Sequence, residues 1–317
     1  VLRFLIRRIA YAFITLLLLT VIVFAISNVV PANVGRAILG PFAPQESVDE
    51  LNRRLGTDKP LYEQYYNRMK GYAQLDFGDS YKTRQPVAGL IWTSLGNSAK
   101  LALLALLVTV PLAIVGGVIA ALRRGRLTDR VITTVSLSGS SLPEFVTSTF
   151  IILIFGVTFS FLPVLARIPP GADPLTQLKF LAMPIMALVI VYFGYIARMA
   201  RAGVITTLDA DFTRTAVMKG LKQRTVIFRH VLRNALLPTI SVVATQTGYL
   251  FGGLLAVELI FNYNGLGRLL VSAARDKDLP VLSAGVLVIG AVYMLATLIA
   301  DILISILNPR VRLGEND

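Results

Sequence analysis

Six stretches of the chain are apolar all round, and each is close to or longer than the ~20 residues that a bilayer-crossing helix needs. They run over Ile9–Val30, Leu101–Leu122, Val131–Leu162, Leu178–Ala197, Leu236–Phe261 and Val281–Leu307. The third is interrupted by Pro143 and Glu144. The periodicity predicts an all-α, polytopic membrane protein with six transmembrane helices. Arg3, Arg7 and Arg8 precede the first stretch like the charged start of a signal peptide. The apolar run is too long for that, and no small-residue cleavage site follows it, so a retained anchor is expected.

Between the spans the pattern becomes amphipathic. In segment 31–100, Ser47-Val48-Asp49-Glu50 fits a capping box and predicts a short helix over 48–55. Pro60 suits a first helical position, and Leu61, Tyr65, Met69 and Tyr72 or Ala73 then recur at helical spacing. In segment 198–235, Leu208, Phe212 and Ala216 fall on one helical face. Lys219-Gly220 has helix-end chemistry, a cation at the negative pole followed by a residue that tolerates the left-handed cap. A second basic helix carrying Arg229 and Arg233 is expected after it, with Leu237-Pro238 opening the fifth span. In segment 262–280, Asn264-Gly265-Leu266-Gly267 reads as a turn in a short loop.

Composition supports a membrane chain. Of 317 residues, 55% are hydrophobic and 15% charged, and the mean hydropathy is +0.69. A soluble domain carries about 25% charged residues. The formal net charge of +13 would suggest nucleic acid in a soluble protein. Here Lys and Arg concentrate in alternate connections. With the N-terminus inside, 17 of the 31 lie at the N-terminus, Arg123–Arg130, Arg198–Arg233 and the tail. Nine are spread over 31–100, and the two short outer loops share five. The positive-inside rule then sets both ends in the cytoplasm and accounts for the charge without nucleic acid.

Most catalytic chemistry is excluded. There is no cysteine, and His230 is the single histidine, so neither a disulfide framework nor a His-built metal site or triad is expected. The motifs G-x-x-x-x-G-K-[ST], H-E-x-x-H and G-x-S-x-G do not occur. Intramembrane acids mark function by default, which singles out Glu144, Glu258 and Asp301 beside the helix-breaking Pro143 as translocation-path candidates. In a straight third span, Glu144 would lie about 21 Å beyond Arg130, and Pro143 would free a carbonyl near Gly139.

These residues together resemble the B-type permease of dipeptide/oligopeptide ABC importers, over nearly the full length. The likeness is carried by Leu5-Ile6-Arg7-Arg8, Leu55-Gly56 with Asp58-Lys59-Pro60-Leu61, Gly78-Asp79-Ser80-Tyr81 and Gln85-Pro86-Val87. It continues through Ala120-Ala121-Leu122-Arg123-Arg124-Gly125, Asp129-Arg130 and Ser141-Leu142-Pro143. Its strongest part is Asp211-Phe212-Thr213-Arg214-Thr215-Ala216, Lys219-Gly220-Leu221 and Arg229-His230-Val231-Leu232-Arg233-Asn234-Ala235-Leu236-Leu237-Pro238. Gly265-Leu266-Gly267-Arg268-Leu269-Leu270, Asp301 and Asn308-Pro309-Arg310 close it. Pro31-Ala32-Asn33, Asn264 and Glu144 depart from the common pattern of that branch.

The resemblance implies an ABC importer type I permease fold in a bacterial inner membrane, with a single permease domain. It implies an outer excursion over 31–100 and a cytoplasmic coupling loop over 198–235. Arg214, Thr215, Ala216, Lys219, Gly220, Leu221 and Arg224 would couple to an ATPase. The implied partners are a second, homologous permease, two cytoplasmic ABC ATPase subunits that use ATP-Mg, an extracytoplasmic substrate-binding protein and membrane lipid, with no cofactor, metal or catalytic residue in this chain. Peptides or peptide-like solutes are the first expectation. The same family also takes opines, glutathione, oligosaccharides and nickel complexes, and a single histidine on an inner loop argues against a His-rich metal path. The rivals are an ion-driven secondary carrier, whose paired broken helices are not evident in the sequence, and an intramembrane hydrolase using Glu144 and Asp301.

Overall fold

The computed structural model describes residues 2–29 and 33–307. Pro31, Ala32, Asn308, Pro309, Arg310 and Arg312 lie outside the described residues. In chain order the helices are α1 (Leu2–Val29), α2 (Val34–Leu39), α3 (Gln45–Leu55), α4 (Leu61–Ala73), α5 (Val87–Leu122), α6 (Leu127–Ser141) and α7 (Glu144–Ile151), the last running on in wider π turns over Ile152–Thr158. There follow α8 (Pro174–Leu208), α9 (Asp211–Met218), α10 (Gln223–Ile260), α11 (Leu266–Arg275) and α12 (Leu279–Leu307). Among the described residues, β pairing is confined to one bridge between Asp79 and Pro86.

Helices α1, α5, α8, α10 and α12 are long and apolar enough to cross a membrane, and α6 with α7 and its π extension meets the same criterion only as a pair, bent by 110° at Leu142-Pro143. The bend overturns the straight third span. Leu142 leaves the helix in extended backbone, its N–H reaching the Gly139 carbonyl at 3.4 Å, and Pro143 occupies the N-cap position of α7. The Gly139 carbonyl is thus taken, and Glu144 begins a new helix instead of lying 21 Å along an old one. The fifth span also differs. Pro238 lies inside α10 and does not open it, so the expected second basic helix is the first part of that long helix. A proline costs one backbone bond, and spans packed among other helices tolerate that loss.

The polar segments are more ordered than expected. Helix α3 starts at Gln45 behind Pro44, whose carbonyl accepts the Val48 N–H at 3.2 Å, so Ser47 sits in the first turn and caps nothing. Pro60 stands one residue before α4, at its N-cap position. Helix α2 was not anticipated. Neither was α11, where Leu266, Leu270 and Ala273 share one buried face.

The described chain divides into two compact units. One comprises residues 2–4, 99–263 and 293–307, the other 5–29, 33–98 and 264–292. In the first, α8 is central. Its Leu181, Met183, Leu188, Val191 and Tyr192 pack with Leu101 and Ala105 of α5, Ile151 of α7, and Leu250, Leu254 and Val257 of α10. Asp173 caps α8 by accepting the Thr176 N–H at 3.1 Å, and the hydroxyl and N–H of Thr176 hold that carboxylate below its usual range. Lipid tails are as apolar as leucine, so burial alone does not choose helix partners, and close backbone approach does. A β-carbon at Gly194 would lie 2.1 Å from the Ser136 carbonyl of α6, and one at Gly203 would lie 2.3 Å from the Ala235 carbonyl of α10. Asp129, at the start of α6, accepts both Arg201 Nε at 2.6 Å and Nη2 at 2.8 Å, together with the Gly125 N–H at 2.9 Å.

In the second unit, Val87 and Ile91 of α5 pack with Leu266 and Ala273 of α11 and with Val281 and Ala284 of α12. Ser98 accepts the Leu266 N–H at 2.8 Å, and Asn97 donates to the Asn264 carbonyl at 2.8 Å. Asp278, 3% exposed, accepts the Ser80 hydroxyl at 2.5 Å and the Tyr81 N–H at 3.1 Å. It fastens the 79–86 turn to the end of α11.

The glycine contacts are open to test. Gly194→Leu should lower stability by about 3 kcal/mol or more, because the neighbour is backbone and cannot yield. Gly89→Ala, where a β-carbon meets nothing within 4 Å, should be nearly neutral. Thermal unfolding of the detergent-solubilised protein measures both.

Candidate functional site

Two places combine chemistry with unusual geometry, both in the unit built around α8. The first is the connection from α8 to α10. Asp209 and Ala210 break the helix, and α9 restarts with a new phase. Thr213 and Ala216 therefore face inward, and the Thr213 hydroxyl donates to the Thr207 carbonyl at 2.7 Å. Ala216 packs with Val204, Val226, Val231 and Ala235. Phe212 is exposed, which corrects the expected shared face of Leu208, Phe212 and Ala216.

Helix α9 ends as its sequence predicts. The Lys219 N–H reaches the Thr215 carbonyl at 3.0 Å and the Gly220 N–H reaches Val217 at 2.9 Å. Gly220 has φ +75°, a left-handed conformation that strains any residue with a β-carbon. Of the residues singled out here, Arg214, Thr215, Lys219, Gly220, Leu221 and Arg224 are exposed, and Ala216 alone is buried. Sequence reasoning missed the apolar side chains around them. Met218 is 80% exposed and Phe228 71%, and Phe212 and Val217 are also bare. Their signal was present, since bulky apolar residues stand among cations in a connection far from any span centre. On the neighbouring side, Arg124 meets Asp209 at 3.5 Å.

The second place is Glu144. As the first residue of α7 it is half-buried, and its carbonyl accepts the Thr147 and Ser148 hydroxyls at 2.9 and 2.7 Å. Its carboxylate shares a site with the Tyr192 hydroxyl of α8. It also lies against α10, where a β-carbon at Gly253 would come within 2.8 Å of both Glu144 Oε1 and the Tyr192 hydroxyl. Three helices thus meet at one carboxylate, and Gly253 leaves the space for it. Exposed Pro143 turns the chain so that this meeting is possible. Glu258 is fully buried on α10. Asp301 is half-buried on α12.

Comparison with known proteins identifies the class. Residues 113–313 match the family described as "Binding-protein-dependent transport system inner membrane component". Residues 1–103 match that family's N-terminal membrane component. The chain is 33% identical over 311 residues to the glutathione transport system permease protein GsiC of Shigella flexneri serotype 5b (strain 8401), with 98% of this chain and 99% of that protein covered. The same identity and coverage hold for the protein of that name from Escherichia coli (strain K12). A crystal structure of an amino acid ABC transporter with histidines aligns with 70% of this chain and 94% of that one, at 17% identity and a TM-score of 0.48. The chain belongs to the binding-protein-dependent transport system inner membrane component family and is an all-α transmembrane permease of an ABC importer.

Proposed function

We propose that this permease carries peptides or small peptide-like solutes, glutathione among them, and forms half of a translocation path completed by a second, homologous permease. Two cytoplasmic ATPases supply the energy, and the chain catalyses no reaction itself. The reading that both termini are cytoplasmic rests on the distribution of Lys and Arg. Segments 31–100 and 262–280 are then the surface offered to the binding protein.

The observation that carries the coupling assignment is the turn after α9. Bare Phe212, Val217 and Met218 on α9 and bare Phe228 at the start of α10 stand among the cations Arg214, Lys219 and Arg224, while the other face of α9 is locked into the α8–α10 packing. An apolar surface of this kind is stable in water only when a partner covers it. Its rigid inner face lets force on the outer face reach α8 and α10. Peptide-like solutes are supported by the names of the relatives and by Glu144, a carboxylate suited to an amino terminus.

Three outcomes test this reading. The chain has no cysteine, so single introduced cysteines report cleanly. Ser47→Cys should react with an impermeant thiol reagent on intact cells and Thr225→Cys should not, and the reverse pattern removes the orientation. Gly220→Val should abolish ATP-driven uptake in a protein that still inserts, whereas normal uptake would make the turn a passive linker. Glu144→Gln should lower uptake of solutes with a free amino group about tenfold, equivalent to ~1.4 kcal/mol, with assembly unchanged. Lost assembly at unaltered solute preference would assign Glu144 to packing.

A further inference from the structure

The unit formed by residues 5–98 and 264–292 contains an open groove of about 630 Å³, within the size range of small-molecule sites. Helix α4, the end of α3 and the 79–86 turn form its walls. Its charge is predominantly basic. Arg54 and Lys59 are engaged by Glu50 and Glu63, each one helical turn away. Arg53, Arg68 and Arg84 are not held by any carboxylate among the described residues. The acids of the lining are Asp76, which is occupied in accepting the Gly78 N–H at 2.9 Å, and Asp79.

Arg68 is the distinctive member. Its guanidinium lies over the Phe24 ring, 5.3 Å from the centroid, and its Nη1 is buried with no hydrogen-bond partner among the described residues. A donor left unpaired in this way costs roughly 1–3 kcal/mol, more for a charged group, and Arg68 also lines the groove. Around it stand Tyr72 and Tyr81. Burial raises both hydroxyls above the usual tyrosine range, and the Arg68 charge offsets part of that, so they remain neutral donors. The turn carrying Arg84 is fixed, because Asp278 holds Ser80 and Tyr81 and Asp276 pairs with Lys82. Arg84 itself has φ +59°, an uncommon conformation that the fixed turn maintains.

We infer that this groove binds small solutes bearing a free carboxylate, held by Arg68 at its base with Arg53 and Arg84 at its rim, directly on the permease and apart from the binding protein. Planar guanidinium groups match a carboxylate in two parallel hydrogen bonds, and the aromatic walls suit the body of a short peptide. The groove stands on its own geometry. The choice of glutathione as a probe rests on the peptide-like reading above, so succinate serves as a second probe independent of it.

The test is calorimetric titration of the full-length permease in phosphatidylcholine nanodiscs. Glutathione or succinate should bind, more weakly as salt rises. Arg68→Gln should weaken binding at least tenfold. Arg84→Gln, at an exposed position where folding is not at risk, should weaken it about threefold. Lys70→Gln, on the same helix but outside the groove, should leave it within twofold. No binding of either probe overturns the inference, as does binding that the Arg68 and Arg84 variants do not alter. Displacement of both probes by phosphatidylglycerol nanodiscs or inorganic phosphate at equal concentration also overturns it, since the groove would then be a headgroup or phosphate site. Uptake of glutathione by the complete transporter, measured separately, keeps the two readings distinct. Transport without binding here removes the groove alone, and succinate binding without glutathione transport removes the peptide-like reading alone.

Discussion

The permease unit depends on the contact of α8 with the backbones of α6 and α10. In a hydrocarbon surrounding, a leucine gains little by leaving lipid for protein, so the interhelical distance at glycine positions decides which helices stay together. Gly194 admits the Ser136 carbonyl and Gly203 the Ala235 carbonyl, in each case closer than any β-carbon allows. The larger side chains of α8 then fill the space toward α5, α7 and α10. The paired charges of Asp129 and Arg201 fix the same α6–α8 register at one end, where a bidentate bond with an added backbone donor offsets the cost of burying a carboxylate.

On the proposed function, this packing links the two candidate places. Tyr192, which stands beside Glu144, and Gly203, which admits α10, lie on one continuous helix, α8. Helix α9 follows directly and is held to α8 and α10 through Thr213 and Ala216. A push on the exposed face of α9 is therefore a push on helices that meet at a carboxylate. The bend at Leu142-Pro143 supplies the remaining element, since a straight third span would have carried Glu144 past the α8–α10 contact.

The spans, the end of α9 and its left-handed Gly220 were legible because each rests on local chemistry: apolar runs, a cation before a glycine, a conformation that few residues adopt. Pro143 was legible as an interruption and not as a 110° turn, since the angle depends on what Glu144 finds on α8 and α10. Pro238 was misread for the related reason that a proline stops an isolated helix and not one supported by neighbours. Helix α11 was hidden behind its own turn residues, although Leu266, Leu270 and Ala273 do recur at helical spacing. The Asp129–Arg201 pair, the Asp278 anchor and the unpaired Arg68 nitrogen were not legible at all, because each depends on contacts made across the fold.

The central claim is that force enters through the exposed face of α9. It is tested most directly by crosslinking Met218→Cys to single cysteines on the ATPase subunit in the complete transporter, with and without ATP-Mg. The account predicts a specific crosslink whose yield changes with nucleotide, together with loss of uptake once it forms. A fully active transporter in which position 218 stays freely reactive to thiol reagents in every nucleotide state would contradict it.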